Sequence, residues 1–317
     1  MSANFRPADV TAALLRLTRL IEGRRDELAL LDRDAMIDWL YVHWYSSPAV
    51  AFADSFVRPH QPSLLAAIRA ALEETVHWQR GWVVLDLEPS QRCLVGRGTL
   101  RHVVGLGDFA NLSRPGAPAV PGDEVAIFDL LLWIDEPTGF LGVRSQVAEP
   151  GGPLVRLYWS VSPTELGHVL RLVVKLMRSV GLPWSLKCPS EAQAFGRVDS
   201  VVLYLERRNW PTYEGAVAQL GADVAAHLRD AVPPLTLQLC CGLGFAEDAD
   251  PLLSFGQTRC RALADGVLKL VRHPTTRTGA NALSLLVQAL ADHGIDPICP
   301  WRSPLPSLLN GRDSSPV

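Results

Sequence analysis

Apolar positions at the start of the chain recur at helical spacing. Val10, Ala13, Leu14, Leu17, Leu20 and Ile21 fall on one face behind Asp9 as a cap, and predict a first helix. Residues 32–45 repeat the pattern with Met36, Trp39, Leu40 and His43 on one face. Pro62-Ser63 opens a third helix through Leu64, Leu65, Ile68 and Leu72. The texture then changes to short β-type runs at 82–87, 93–97, 101–104 and 126–134, punctuated by Gly and Pro. The stretch 113–123 (SRPGAPAVPGD) is too rich in Pro and Gly for a regular element and reads as a loop.

From about residue 150 the order is strand, helix, strand, strand, helix. LVRLYWSV at 154–161 alternates and is rich in β-branched and aromatic residues. Ser162-Pro163-Thr164-Glu165 is a capping box that starts a helix running to about Ser179, with Gly181 as its stop. Strands follow at 184–188 and 198–205, then a helix from Pro211 to about Asp230, halted by Pro233-Pro234. Another helix starts near Gly256 and runs through Leu270. The expected class is α+β: a helical N-terminal part followed by a mixed or antiparallel sheet flanked by helices. The divisions are a helical segment at 1–75, a β-rich middle part at 76–148, an α/β core at 149–275, and a C-terminal helix with a frayed tail at 276–317, all in one composite globular unit.

Charge and composition exclude several functions. Thirty basic against thirty-three acidic residues leave a net charge of −3, with no excess to neutralise a nucleic-acid backbone. Apolar runs such as 128–134 fall far short of the roughly 20 residues that span a bilayer. The N-terminus carries an acidic residue and no uninterrupted apolar core, so no signal peptide and a cytoplasmic location are expected. Six cysteines without C-x-x-C spacing read as reduced thiols, and eight scattered histidines give no metal site. Gly242-Leu243-Gly244 lacks the third glycine of a dinucleotide turn. No cofactor is signalled.

Strand alternation sorts the remaining candidates. Val155, Leu157, Trp159 and Val161 share one face; Arg156, Tyr158 and Ser160 share the other. Trp184, Leu186 and Cys188 oppose Ser185 and Lys187, and Val201, Leu203 and Leu205 oppose Ser200, Val202 and Tyr204. If these strands are neighbours, one sheet face is apolar and the other is either solvated or a site for an anion. Arg197 and Asp199 form either a plain ion pair or an arginine held so that it can fork onto a phosphate. Arg259 sits in the first turn of a helix opened by Ser254-Phe255-Gly256-Gln257, where a cation is unfavourable unless a negative ligand compensates.

The runs VRLYWSV…LPWSLKCPSEAQAFGRVDSVVLYLERRNWP and PPLTLQLCCGLGFAEDADPLLSFGQTRCRALADGV resemble the HopA-type effector family of plant-pathogenic bacteria. This domain also occurs as the lyase component of class V lanthipeptide and thioamitide (ribosomal peptide) pathways. The match covers roughly residues 150–270, and LYVHWYSSP at 40–48 is similar to the family's L-Y-x-x-x-Y pattern. The resemblance implies a phosphothreonine or phosphoserine lyase. Its substrate would be a precursor peptide phosphorylated by a separate Ser/Thr kinase with which it forms a complex, and its product dehydroalanine or dehydrobutyrine.

Such an elimination needs a base for the α-proton, cations for the leaving phosphate and a proton donor. Lys187 is the expected base, with burial and neighbouring arginines lowering its pKa. Arg156, Arg197 and Arg259 are the expected phosphate contacts. Tyr158 or Tyr204 would donate to the enolate-like oxygen or the phosphate, and His102 or His43 would serve as general acid. Asp199, Tyr204 and Gln257 are supporting residues. Two other readings stay open: a non-catalytic peptide-binding module of such a pathway, and a host-directed effector.

Overall fold

The computed structural model describes the chain except for residues 1–5, 8–9, 49–63, 74–77, 89–91, 106–107, 129, 136–138, 146–149, 249–252, 273–278 and 304–317. The expected Asp9 cap and the Pro62-Ser63 helix start lie outside the described residues. The N-terminal helices are α1 (Val10–Glu22), α2 (Arg25–Ala29), α3 (Arg33–Leu40) and α4 (Leu64–Glu73). The Asp32 side chain caps α3 by accepting from the Ala35 amide at 2.8 Å. α3 passes directly into a π-helical turn, Tyr41–Tyr45. That turn carries one extra residue, so the buried face shifts from His43 to Trp44 and Tyr45, and His43 is exposed.

An antiparallel sheet of five strands follows: β2 (Trp78–Leu87), β3 (Cys93–Arg97), β4 (Leu100–Val104), β5 (Phe109–Asn111) and β6 (Glu124–Phe128), in the order β4-β3-β2-β6-β5. It buries Trp82, Val84, Val95, Val104, Val125 and Ile127 in a core of its own. The loop expected at 113–123 is held by Asp123, which accepts from Asn111, Arg114 and the Val120 amide.

The larger sheet has eight strands. They are β1 (Arg6–Pro7), β7 (Leu130–Asp135), β8 (Phe140–Ser145), β9 (Leu154–Trp159), β10 (Trp184–Pro189), β11 (Val201–Glu206), β12 (Leu237–Cys240) and β13 (Leu243–Asp248). Their order is β1-β12-β13-β9-β11-β10-β8-β7, and all pairings are antiparallel. The single strand expected at 126–134 is therefore two: β6 in the small sheet and β7 in the large one. β7 and β8, which sequence places in the middle part, hydrogen-bond into the sheet of the 149–275 core. Gly242 lies in the turn of the β12–β13 hairpin, and Leu243 and Gly244 already belong to β13; Gly242 has φ 69°, and a Cβ there would stand 2.4 Å from the Arg229 carbonyl oxygen.

The apolar face of this sheet packs on α5 (Leu166–Val180), α6 (Trp210–Val224) and α4. Val155, Leu157, Trp159, Leu186 and Leu203 meet Val169, Val173 and Val217 there. α5 begins after the expected capping box, with Ser162 Oγ accepting from the Glu165 amide, and Gly181 ends it in the left-handed region. The opposite face is covered over part of its width by α1, α3, the π-helical turn, α7 (Phe255–Arg272) and α8 (Gly279–Asp292).

Candidate functional site

The alternation read from sequence holds, and the register extends it across strands. Arg144, Ser185, Tyr204, Arg156 and Ala246 form one row across β8, β10, β11, β9 and β13. Gly142, Lys187, Val202, Tyr158 and Gly244 form the next. Residues directly opposite share a face, so Arg144, Lys187, Arg156, Tyr158 and Tyr204 all stand on the polar one. Lys187 and Tyr158 are two strands apart, about 10 Å at the backbone.

This face is not simply solvated. Tyr158, Val202 and Ala246 are buried in a second core with Leu17, Leu40, Tyr45 and Phe255. Among the described residues none of β8 or β10 joins that core, and Arg144, Ser185 and Lys187 are half-buried. Helices of this second core thus roof the β13–β9–β11 half of the face, and among the described residues they do not extend over the β10–β8 half.

Four of the five tyrosines meet at the edge of the roof. The π-helical turn stacks Tyr41 on Tyr45, ring centroids 5.4 Å apart. Tyr45 and Tyr158 both pack against Phe255, at 6.3 and 6.4 Å, and their hydroxyls face each other. Burial is the main cause that holds all four phenols above their ordinary pKa. They keep their protons at neutral pH, and the Tyr41 hydroxyl donates to Asp199 Oδ2 at 3.3 Å. Tyr158 and Tyr45 are sealed from solvent, so the expected donor Tyr158 has almost no surface to offer a ligand.

Arg197 is held side-on by Asp199, Nε to Oδ1 at 2.9 Å and Nη2 to Oδ2 at 2.9 Å. Nη2 also donates to the Tyr41 hydroxyl at 3.3 Å, and the guanidinium lies 5.4 Å from the Tyr41 ring centroid. Among the described residues Nη1 has no protein partner, and 32% of the side chain is exposed. Arg156 is clamped by both Nε and Nη2 onto Asp248 Oδ2, with Tyr204 against its guanidinium at 5.0 Å. Lys187 Nζ lies 4.6 Å from the Phe140 ring centroid.

Three expected site residues already have partners within the fold. Arg259 is fully buried; it donates to the carbonyls of Pro300 at 3.0 and 2.6 Å and of Arg302 at 2.6 Å, and lies over the Phe255 ring at 4.0 Å. Burial pushes its pKa down to about 10. Backbone carbonyls of the C-terminal segment therefore supply the compensation expected from a negative ligand. Gln257 caps α7: its Oε1 accepts from the Ser254 amide at 2.9 Å while its own amide donates to Ser254 Oγ at 3.1 Å. His102 belongs to β4 in the small sheet, edge-on to Trp82 at 5.3 Å. Burial first, then the charges of Arg144 and Arg97, hold its pKa below the ordinary histidine value.

Sequence reasoning missed Tyr41, Asp248 and Arg144. The Y-x-x-x-Y spacing pointed at Tyr41, and the alternation of FLGVRS carried Arg144; Asp248 lies 92 positions from its partner Arg156, and nothing local marks it. Among the described residues no group of three or more metal-ligating side chains is placed to hold a metal ion, and no helix is long and apolar enough to cross a membrane.

The HopA1 effector protein family matches this chain over residues 136–302. In fold, the chain is similar to the effector protein from Pseudomonas syringae pv. syringae strain 61, with a TM-score of 0.51 at 14% identity over 94% of this chain and 98% of that one. The effector protein from Pseudomonas syringae pv. tomato strain DC3000 aligns with a TM-score of 0.48 at 14% identity, over 92% and 98%. No curated protein matches by sequence.

Proposed function

The chain belongs to the HopA1 effector protein family, and on that premise we propose that it is a phosphoserine or phosphothreonine lyase acting on a phosphorylated precursor peptide in ribosomal peptide biosynthesis. Lys187 Nζ takes the α-proton. The electrons of that C–H bond become the Cα=Cβ double bond, the Cβ–O bond breaks, and inorganic phosphate leaves with its electron pair. The product is dehydroalanine or dehydrobutyrine. Arg197 offers Nη1 to the phosphate while Asp199 fixes its plane, and Arg156 adds charge from the adjoining row. Tyr41 and Tyr204, neutral at the edge of the roof, donate hydrogen bonds to phosphate oxygens. A separate Ser/Thr kinase supplies the phosphorylated peptide, and residues 1–110 are the region proposed to contact it or the peptide.

The observation that carries this reading is the side-on Arg197–Asp199 pair just ahead of β11, the strand that pairs with the Lys187 strand β10. The test is incubation of the purified protein with phosphoserine and phosphothreonine peptides, followed by mass spectrometry for loss of phosphoric acid. Absence of elimination from every phosphopeptide, with the kinase present as well as without it, removes the lyase.

One observation favours a binding module without turnover. Arg156 is neutralised by Asp248, and Arg259 is spent on carbonyls, so two of the three expected phosphate contacts already have internal partners. Phosphopeptide binding without elimination by the unmodified protein is the outcome that selects this second reading.

A further inference from the structure

Arg197 and Asp199 flank Val198, and the backbone of Val198 is tied to the π-helical turn: its amide donates to the Ser46 carbonyl at 2.9 Å. Ser46 directly follows the turn, and its own amide donates back to the Tyr41 carbonyl at 2.9 Å. Carbonyls at the C-terminal end of a helix have no intrahelical partner and need one from elsewhere. Arg16 of α1 serves two of them. Its Nη2 donates to the Trp44 carbonyl, and its Nη1 donates to the Ser47 carbonyl at 2.9 Å. These two carbonyls bracket that of Ser46. The guanidinium is half-buried, and its positive charge suits a helix C-terminus. The Trp44 indole grips the same helix, donating from Nε1 to the Ala13 carbonyl at 3.1 Å. Tyr41, at the start of the turn, meets the pair from the other side through its hydroxyl, which bonds to both Arg197 and Asp199.

We propose that Arg16 is a positioning residue for the Arg197 fork, acting through the Ser46 carbonyl and the Val198 amide and touching no ligand itself. This rests on the phosphopeptide reading above and adds to it a residue from the first helix of the chain. A fork that must meet phosphate oxygens works only within a narrow angular range, on the order of 10–20°. Asp199 fixes the plane of the guanidinium within its loop. The Ser46–Val198 bond fixes that loop against the turn that carries Tyr41. Arg16 in turn fixes the end of the turn from which the Ser46 carbonyl points. Arginine suits this task because its planar fork spans two carbonyls at once, whereas a lysine ammonium is a point donor.

The experiment compares full-length unmodified protein with Arg16→Gln, the milder Arg16→Lys, and Arg25→Gln. Arg25 Nη2 donates to the Leu270 carbonyl at 2.5 Å, so its variant removes an arginine–carbonyl bond between α2 and α7, away from Arg197. Hydrogen exchange reads the Val198 amide, and fluorescence anisotropy reads affinity for a phosphoserine peptide. Arg16→Gln should speed Val198 exchange about tenfold, roughly one hydrogen bond's worth, and leave the amides within β9 and β11 as they are. It should weaken phosphopeptide binding about tenfold as well. In an Arg197→Ala background the same change should cost no further affinity, because the two residues act in series. Arg16→Lys should show the same pattern at smaller size. Arg25→Gln should move neither reading. Val198 exchange that stays unchanged in folded Arg16→Gln or Arg16→Lys overturns the proposal. So does an equal effect in Arg25→Gln, a full further loss in the Arg197→Ala background, or faster exchange with undiminished affinity in a protein that binds the peptide. Faster Val198 exchange in a protein that binds no phosphopeptide leaves Arg16 as the residue that positions Arg197 and removes the phosphopeptide reading instead.

Discussion

Tyr45 lies flat on the first turn of α7 directly over Gly256: a Cβ built on Gly256 would stand 2.4 Å from Tyr45 Cε1 and 2.7 Å from Cδ1 and Cζ. The glycine lets the ring reach Phe255 and Tyr158, and so lets the π-helical turn close on the sheet. The buried ring has no room to move, so Gly256→Ala should cost about 1–3 kcal/mol, the range for overpacking a full core. Thermal unfolding measures it. In a double-mutant cycle with Tyr45→Leu the two losses should sum to more than the loss in the double variant. Strict additivity would show that the contact is not what fixes this turn.

Arg197 depends on two partners that differ in kind. Asp199 supplies charge and fixes the plane; Tyr41 supplies a hydroxyl and a ring. Asp199→Asn should weaken phosphopeptide binding about tenfold or more, because the bond to a charged group is the stronger one. Tyr41→Phe keeps the ring under the guanidinium and should lose only about two- to fivefold. Arg197→Lys cannot reproduce the fork and should bind no better than Arg197→Ala. Titration by anisotropy orders the four variants, and a larger loss in Tyr41→Phe than in Asp199→Asn would reverse the assignment.

These dependencies separate what the sequence carried from what it did not. The strand alternation of residues 154–161, 184–188 and 198–205 placed Arg156, Tyr158, Lys187 and Tyr204 on one face, because period two is a local property of the chain. The Arg197–Asp199 pair was legible for the same reason, two residues apart. The roof was not. Whether a polar face is solvated depends on helices as far away as α1 and α8, and burying four tyrosines with two arginine–aspartate pairs is a tertiary choice. Arg259 shows the limit most directly. Its odd place in a first helical turn did mark a compensating partner, but that partner is the Pro300 carbonyl, 41 residues on, and not a ligand.

His102 gives a pH signature. Burial and the two nearby arginines keep its folded-state pKa below the ordinary value near 6.5. Below that value the unfolded chain takes up a proton that the folded protein resists, so the unfolded state binds more protons and stability falls as pH falls. The contribution is complete above pH 6.5 and is lost on going down through the window to the lower folded pKa. Melting temperatures of the unmodified protein and His102→Gln, compared at pH 7.5 and 5.5, should show the smaller acid-side fall in the variant. An identical fall would mean that His102 is protonated as easily in the folded protein as in the unfolded chain.

Lys187 and Arg197 should separate turnover from binding. The lysine stands on the sheet with its Nζ on Phe140 and is assigned proton abstraction, an interaction that gains strength only in the transition state. The arginine holds phosphate in the ground state as well. Lys187→Ala should therefore lower kcat by a factor of 100 or more, the usual worth of a positioned base, with phosphopeptide affinity within about twofold of the original. Arg197→Ala should lower affinity and kcat/KM together. Lys187→Arg keeps a cation at the site but no usable base, so a role in phosphate binding alone would let it retain activity, whereas a base would not. Single-turnover assays by mass spectrometry, paired with anisotropy on the same phosphopeptide, read both quantities. If Lys187→Arg eliminates phosphate as fast as the unmodified protein, the proton is removed by another group, and Lys187 is only part of the anion clamp.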